Sequence, residues 1–139
     1  MSKLLELVKT HEGVVKHAYA DSRGYLTIGC GRLIDKTLGG GLSEDEIDYL
    51  LANDMQRCED EAVTYPFYPK MDEARKAVII SMLFNLGKPN FDKFQKFQAA
   101  LLVGDYRLAA SEMLQSRWAD QVKGRAVELS KMMETGEWH

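Results

Sequence analysis

The sequence predicts an α+β protein that is mostly helical, with a small N-terminal β-lobe joined by a long helix to a C-terminal helical lobe. Three observations lead to this prediction. Residues 13–42 combine strand-forming side chains with frequent glycines, which disfavour helices. Residues 43–64 begin with a helix-capping pattern and contain no helix breaker before Pro66. Apolar residues then recur at helical spacing through most of residues 65–139.

Length and composition exclude several classes of protein. The 139 residues fit one domain over 1–139, and 45% hydrophobic with 28% charged residues argues against intrinsic disorder. No apolar run approaches the roughly 18 residues of a membrane span, so we expect no membrane insertion. The first twelve residues mix Lys and Glu with Leu, so we expect no signal peptide. A net charge of −3 argues against binding to nucleic acid.

The N-terminal elements follow from short local patterns. Leucines and valine between Leu4 and Val8 predict a short helix over 3–12, which Gly13 ends. Strand-forming residues follow on both sides of Ser22-Arg23-Gly24, which predicts a hairpin turn.

The remaining elements are predicted as helices. Ser43 and Glu46 have capping-box spacing and open the linking helix over 43–64. Acidic residues are concentrated in this segment, which is typical of a solvated helix face. A buried core helix is predicted over Ala74–Leu86, and one helix carries the apolar residues from Phe91 to Leu101. The last two predicted helices are one capped by Asp105 and one over about Gly124 to Met133.

Cysteine and histidine residues are few and do not form a metal-binding pattern. Cys30 and Cys58 are predicted to be free thiols in a reducing compartment. The three histidines do not combine with them at metal-ligand spacing. We therefore predict no metal site and no cofactor.

Two acidic residues in the N-terminal region suggest glycoside hydrolysis. Glu12 ends the first predicted helix, while Asp21 and Thr27 lie in the strand-turn region that follows. Such hydrolysis needs one carboxyl group that donates a proton and one that stays ionised. By spacing alone, the pattern favours ordinary surface carboxylates, because any Asp and Glu on surface elements would match it.

A longer pattern around these residues resembles the active-site signature of the phage-type lysozymes, a family that includes many endolysins. The matching stretches are His11-Glu12-Gly13, Tyr19-Ala20-Asp21 and Gly24-Tyr25-Leu26-Thr27-Ile28-Gly29-Cys30-Gly31. The resemblance continues through residues 77–87, which look like the family's central helix, and through Ser116-Arg117-Trp118, Arg125-Ala126 and Thr135-Gly136-Glu137-Trp138. The resemblance covers nearly the whole chain. Within residues 37–68 this chain is shorter than the family pattern.

This resemblance implies a lysozyme-like fold with a cleft between the lobes and the helix 3–12 packed on the helical lobe. It also implies a muramidase that cleaves the β-1,4 bond between N-acetylmuramic acid and N-acetylglucosamine with inversion. Glu12 is then the general acid. Asp21 stays ionised, and Thr27 holds the attacking water beside it.

The resemblance also implies substrate-binding positions. Leu33 and Phe84 match cleft positions of the family, and Arg125 matches an arginine that pairs with the catalytic glutamate. Gly31 has no side chain, so its backbone could approach a sugar ring closely. The local pattern alone favours ordinary core positions for Leu33 and Phe84, and leaves a tight turn as an equal explanation of Gly31. Three residues depart from the family pattern. Arg32 replaces a histidine, and Phe97 and Glu112 replace polar cleft residues.

Two alternatives remain beside the hydrolase. A lytic transglycosylase needs the acidic Glu12 but not the water site of Asp21 and Thr27. A non-catalytic relative binds cell-wall glycan only. For the hydrolase, we expect a monomeric endolysin whose partner is peptidoglycan and which remains in the host cytoplasm until a holin opens a route to the cell wall.

Overall fold

The computed structural model describes residues 2–139, which form eight α-helices and three β-strands. The order is α1 (Ser2–Glu12), β1 (Val15–Ala20), β2 (Leu26–Gly29), β3 (Arg32–Leu33), α2 (Glu44–Ala62), α3 (Glu73–Leu86), α4 (Lys88–Phe91), α5 (Gln95–Leu102), α6 (Tyr106–Leu114), α7 (Arg117–Val122) and α8 (Gly124–Thr135). The predicted α+β fold, mostly helical with a small sheet, is confirmed.

The chain divides into two compact units within α2. The first unit is Met1–Leu50 and contains α1 and the sheet, whereas the second unit is Leu51–His139 and contains α3 to α8. The long helix predicted over 43–64 is observed as α2. The assignment of 13–42 and 65–139 to two lobes, with the helix 3–12 packed on the second, stays a prediction.

The sheet of the first unit is antiparallel, with β2 at its centre. Val15 pairs with Gly29 and Tyr19 with Thr27, and a bulge in β1 lies between these pairs. Residues paired across neighbouring strands point to the same face of a sheet. The pairing therefore fixes which side chains of β1 and β2 lie together.

The first turn of α2 is joined to β3 by an ion pair. The predicted capping box is confirmed, because the Ser43 amide donates to Glu46 Oε1 at 2.8 Å and the Glu46 amide donates to Ser43 Oγ at 3.4 Å. The Arg32 guanidinium also donates to both Glu46 carboxylate oxygens, at 2.7 Å and 2.6 Å. Arg32 Nη1 further donates to the Gly41 carbonyl at 3.3 Å. Arg32 is thus held by a carboxylate in the first turn of α2.

This ion pair predicts a stability change at acid pH. The Arg32 guanidinium, followed by the Ser43 amide and hydroxyl, lowers the pKa of Glu46 from 4.5 to about 2. Because the folded pKa lies below the unfolded value, the stabilisation is complete above the unfolded pKa and is lost as pH falls through about 2. We therefore expect the difference in free energy of unfolding between the parent and Glu46→Gln to become smaller as pH falls from 4.5 to about 2.

Carboxyl chemical shifts measured during an acid titration would locate the Glu46 pKa directly. Glu44→Gln is the matched control, since Glu44 is in the same helical turn. Titration of Glu46 at its ordinary value would contradict the ion pair.

The buried core lies in the second unit, where α3, α5, α6 and α8 supply most of its side chains. Val78, Ile79, Met82 and Leu83 of α3 are each at most 1% exposed. The predicted core helix is therefore confirmed. Trp118 of α7 is also buried, and its indole N–H donates to Asn85 Oδ1 at 2.8 Å.

One predicted helix is wrong. The apolar residues from Phe91 to Leu101 form two helices, α4 and α5, because Phe94 leaves the helical region with φ −82° and ψ 66°. The break lets the rings of Phe91 and Phe97 meet edge to face at 6.0 Å, with both buried. The short helix α7 was not predicted.

Candidate active site

Asp21 and Thr27 are held by the same backbone residue, Tyr25. Asp21 lies in the turn after β1, and its Oδ1 accepts the amides of Arg23 and Tyr25, each at 2.9 Å. The Thr27 hydroxyl donates to the Tyr25 carbonyl at 2.9 Å. Gly24 makes the tight turn possible with a φ of +85°. The hairpin thus orders both polar side chains through one residue.

Thr27 faces inward from the central strand. It is only 3% exposed, whereas the neighbouring Leu26 is 51% exposed. A strand usually buries its apolar face and exposes its polar one. Thr27 pairs with Tyr19 on one side and Leu33 on the other, so these three side chains share a face. The structure therefore brings Leu33, a predicted binding residue, to the side of the sheet that carries Thr27.

Glu12 lies against the turn between β2 and β3. The helix α1 ends at Glu12, and Gly13 closes it by donating its amide to the Lys9 carbonyl at 2.8 Å. A Cβ atom at Gly31 would lie 2.8 Å from Glu12 Oε2 and 3.3 Å from its Cδ. The carboxyl group of Glu12 therefore occupies the space beside Gly31. The lack of a side chain at Gly31 leaves room for this carboxyl group, whereas the predicted contact of Gly31 with substrate stays a prediction.

Gly31→Ala is expected to lower activity sharply. The new methyl group would displace the Glu12 carboxyl group, and a displacement of about 1 Å can cost about 10²-fold in rate. Alanine at the Gly31 φ of +72° would also cost about 1–2 kcal/mol of stability. Activity and thermal unfolding of the variant would be measured together.

Gly39→Ala is the matched control, because Gly39 has a φ of +74° but no atom within 4 Å of its added Cβ. Both variants should lose similar stability. Equal activity in the two variants would show that activity does not depend on the space beside Gly31.

The other predicted site residues lie in different parts of the structure. Phe84 is on α3 and 51% exposed, and Arg125 is exposed on α8, both in the second unit. The expectation that Phe84 is an ordinary core residue is wrong, because the buried face of α3 is formed by its neighbours. The pairing of Arg125 with Glu12 stays a prediction. Phe97 and Glu112 line one groove of about 350 Å³ in the second unit.

Sequence reasoning missed two features of this site. The first is Tyr25, which holds Asp21 and Thr27 through its backbone amide and carbonyl. Any residue type has these groups, so the sequence gives no sign of the contact. The partner of Arg32 was also missed, although the Ser43–Glu46 capping spacing was recognised, because only the position of β3 brings Arg32 to that carboxylate.

Within residues 2–139 no group of three potential ligands could hold a metal ion. None of the described helices combines the length and apolar character needed to cross a membrane.

A family model and several known proteins match most of the chain. The family model described as phage lysozyme matches residues 9–133. The chain is 26% identical over 163 residues to each of two proteins of Dictyostelium discoideum named probable T4-type lysozyme 1 and 2, covering 98% of this chain and 96% of each relative.

A third relative is much longer than this chain. The chain is 25% identical over 159 residues to the pre-baseplate central spike protein Gp5 of Enterobacteria phage T4. The match covers 96% of this chain but only 28% of that protein.

The family model spans most of the chain, including Glu12, Asp21 and Thr27. The chain therefore belongs to the phage lysozyme family.

Proposed function

We propose that this protein is an inverting muramidase that hydrolyses the β-1,4 bond between N-acetylmuramic acid and N-acetylglucosamine in peptidoglycan. Family membership and the names of the two lysozyme relatives support a lysozyme-like glycoside hydrolase. The observation that carries the finer proposal is the shared attachment of Asp21 and Thr27 to Tyr25. A carboxylate and a hydroxyl held together in this way form a site for one water molecule.

Glu12 is the general acid in this mechanism. Its exposed carboxyl group lies at the end of α1 with Oε2 beside Gly31. It gives its proton to the glycosidic oxygen while the bond from that oxygen to the anomeric carbon breaks. The leaving sugar then departs with a neutral hydroxyl group.

Asp21 and Thr27 orient the water that attacks the opposite side of the sugar ring. Asp21 Oδ1 already accepts two amides, so Oδ2 is left to accept a proton of the water. The Thr27 hydroxyl uses its own proton on the Tyr25 carbonyl, so its oxygen is left as an acceptor. A water that donates to both directs its lone pair at the anomeric carbon. As the new carbon–oxygen bond forms, one proton of this water passes to Asp21 Oδ2 and the other stays on the product hydroxyl group. Attack from this side inverts the anomeric configuration.

Substitution of Thr27 separates hydrogen bonding from packing. Thr27→Val keeps the branched shape and strand preference but removes the acceptor, so we expect a loss of about 1–3 kcal/mol in transition-state stabilisation, or roughly tenfold to a hundredfold in rate. Thr27→Ser keeps the hydroxyl group and should retain most of the activity. Rates on soluble peptidoglycan would be compared with unfolding curves of all three proteins. Equal rates for Val and Ser would contradict the water site.

Product analysis tests the proposed reaction directly. Purified peptidoglycan is digested with the parent protein, and the new ends are examined by NMR and mass spectrometry. The hydrolase produces reducing ends that first appear in the α configuration. A lytic transglycosylase produces anhydro-sugar ends instead. Binding to peptidoglycan without either product would identify a non-catalytic relative.

We also propose that the enzyme serves in lysis of a bacterial host, where it accumulates in the cytoplasm and reaches the cell wall after a holin opens the membrane. Expression in bacteria with and without a holin tests this role. Lysis should occur only when both proteins are produced. Lysis by this chain alone would contradict the need for a holin.

A further inference from the structure

A groove in the second unit contains none of the residues assigned to the reaction. We name it the Trp138 groove, and its volume is about 430 Å³. Its walls come from the end of α2, the turn before α3, the first half of α3 and the C-terminal segment. The residues that define it are Glu59, Val63, Tyr68, Pro69, Glu73, Lys76, Ala77, Ile80 and Trp138. This volume lies within the usual range of small-ligand sites.

Arg75 fixes the end of α8, from which the segment carrying Trp138 leaves. The guanidinium donates from Nε to the Met133 carbonyl and from Nη2 to the Glu134 carbonyl, each at 2.7 Å. The same group lies 3.9 Å from the centre of the Tyr106 ring. Gly136 then turns the chain with a φ of +72°, and a Cβ there would lie 2.9 Å from Arg75 Nη1. The end of α8 and the turn before Trp138 are thus fixed to α3.

Trp138 lies two residues beyond Gly136 and is exposed. Its side chain is 68% exposed, whereas the other tryptophan, Trp118, is 3% exposed. Exposure of a large aromatic ring forfeits the stabilisation that burial would provide. An exposed indole that lines a groove is therefore suited to stacking against a ligand.

The charges that line the groove favour a neutral polar ligand. Glu59 and Glu73 disfavour an anion. Lys76 disfavours a cation, and its ammonium lies 5.3 Å from the centre of the Tyr68 ring, where a cationic ligand would otherwise bind. Carboxylates accept hydrogen bonds from hydroxyl groups, and the ammonium donates to hydroxyl or amide oxygens. A saccharide offers these groups together with an apolar ring face.

We propose that the Trp138 groove binds a pyranose ring of a glycan strand, with the apolar face of the sugar stacked on the indole. The saccharide class follows from the lining of the groove, and the choice of peptidoglycan strands as its source rests on the proposed function. Such a site would hold the enzyme on an insoluble polymer between cleavage events.

The test uses the full chain carrying Glu12→Gln, which prevents cleavage of the probe by the proposed acid. The probe is the β-1,4-linked tetramer of N-acetylglucosamine, which is neutral and carries no peptide. We expect a saturable NMR shift of the Trp138 indole N–H that changes little between low and high salt. The Trp118 indole, buried and bonded to Asn85, is the internal control and should not move.

Substitutions identify the ring that makes the contact. Trp138→Ala should weaken binding, read from the backbone amides of Lys76 and Ala77, by roughly tenfold. Trp138→Phe should recover part of this loss. Val103→Ala is the control, since Val103 is 79% exposed and does not line the groove.

The proposal is overturned if the Trp138 indole does not shift, or if the shift is produced by a free amine probe and not by the tetramer. Retention of full binding in Trp138→Ala also overturns it. These outcomes are independent of catalysis, which product analysis with the parent protein measures separately.

Discussion

Glu12→Gln is expected to lower the rate of peptidoglycan cleavage by about 10²–10⁴-fold, the usual contribution of a general acid. Glutamine has nearly the same size but cannot donate a proton to the glycosidic oxygen. Because Glu12 is exposed at the end of α1, its replacement should change the free energy of unfolding by no more than about 0.5 kcal/mol. Loss of activity with unchanged stability would therefore report on chemistry alone.

The measurement is the loss of turbidity of Gram-negative cells with a permeabilised outer membrane, together with the rate on purified peptidoglycan. Glu6→Gln is the matched control, since Glu6 is an exposed glutamate on the same helix, where it pairs with Lys9 at 3.7 Å. This control should retain the activity of the parent. Similar rates for Glu6→Gln and Glu12→Gln would exclude Glu12 as the acid.

Leu83→Ala is expected to have the largest effect on stability, about 2–5 kcal/mol. Leu83 is 1% exposed and lies in the buried face of α3 with Val78, Ile79 and Met82. Removal of its branched side chain loses the transfer free energy of the buried groups and leaves a cavity that the surrounding helices fill only in part.

Urea and thermal unfolding followed by circular dichroism measure this loss. Leu102→Ala is the control, because Leu102 ends α5 with 57% of its surface exposed, and it should cost well under half as much. A cost below about 1 kcal/mol for Leu83→Ala would show that this face of α3 is not closely packed.

Local sequence patterns were sufficient for most of the helices. The capping-box spacing of Ser43 and Glu46 predicted the start of α2, and Asp105 caps α6 as expected by accepting the Leu108 amide at 3.0 Å. The prediction of one helix from Phe91 to Leu101 was wrong, because the helical spacing of its apolar residues gives no sign of the backbone break at Phe94. This break lets the rings of Phe91 and Phe97 meet edge to face.

For the candidate site, the sequence predicted the residues but not how they are arranged in space. The order and spacing of Glu12, Asp21 and Thr27 made them the candidate catalytic residues, because their types and local sequence resemble those of one family. The attachment of Asp21 and Thr27 to Tyr25 and the approach of Glu12 to Gly31 were not predicted. The first contacts use the backbone of Tyr25, and the second depends on the lack of a side chain at Gly31. Sequence patterns describe neither.

The sequence by itself determined the class of fold, most helix boundaries and the chemical groups available for catalysis. These properties depend on neighbouring residues or on residue type. The tertiary structure decided the partner of Arg32, the inward face of Thr27 and the exposure of Trp138 beside a groove. Each of these depends on contacts between elements distant along the chain, because strand pairing and helix packing choose which side chains meet.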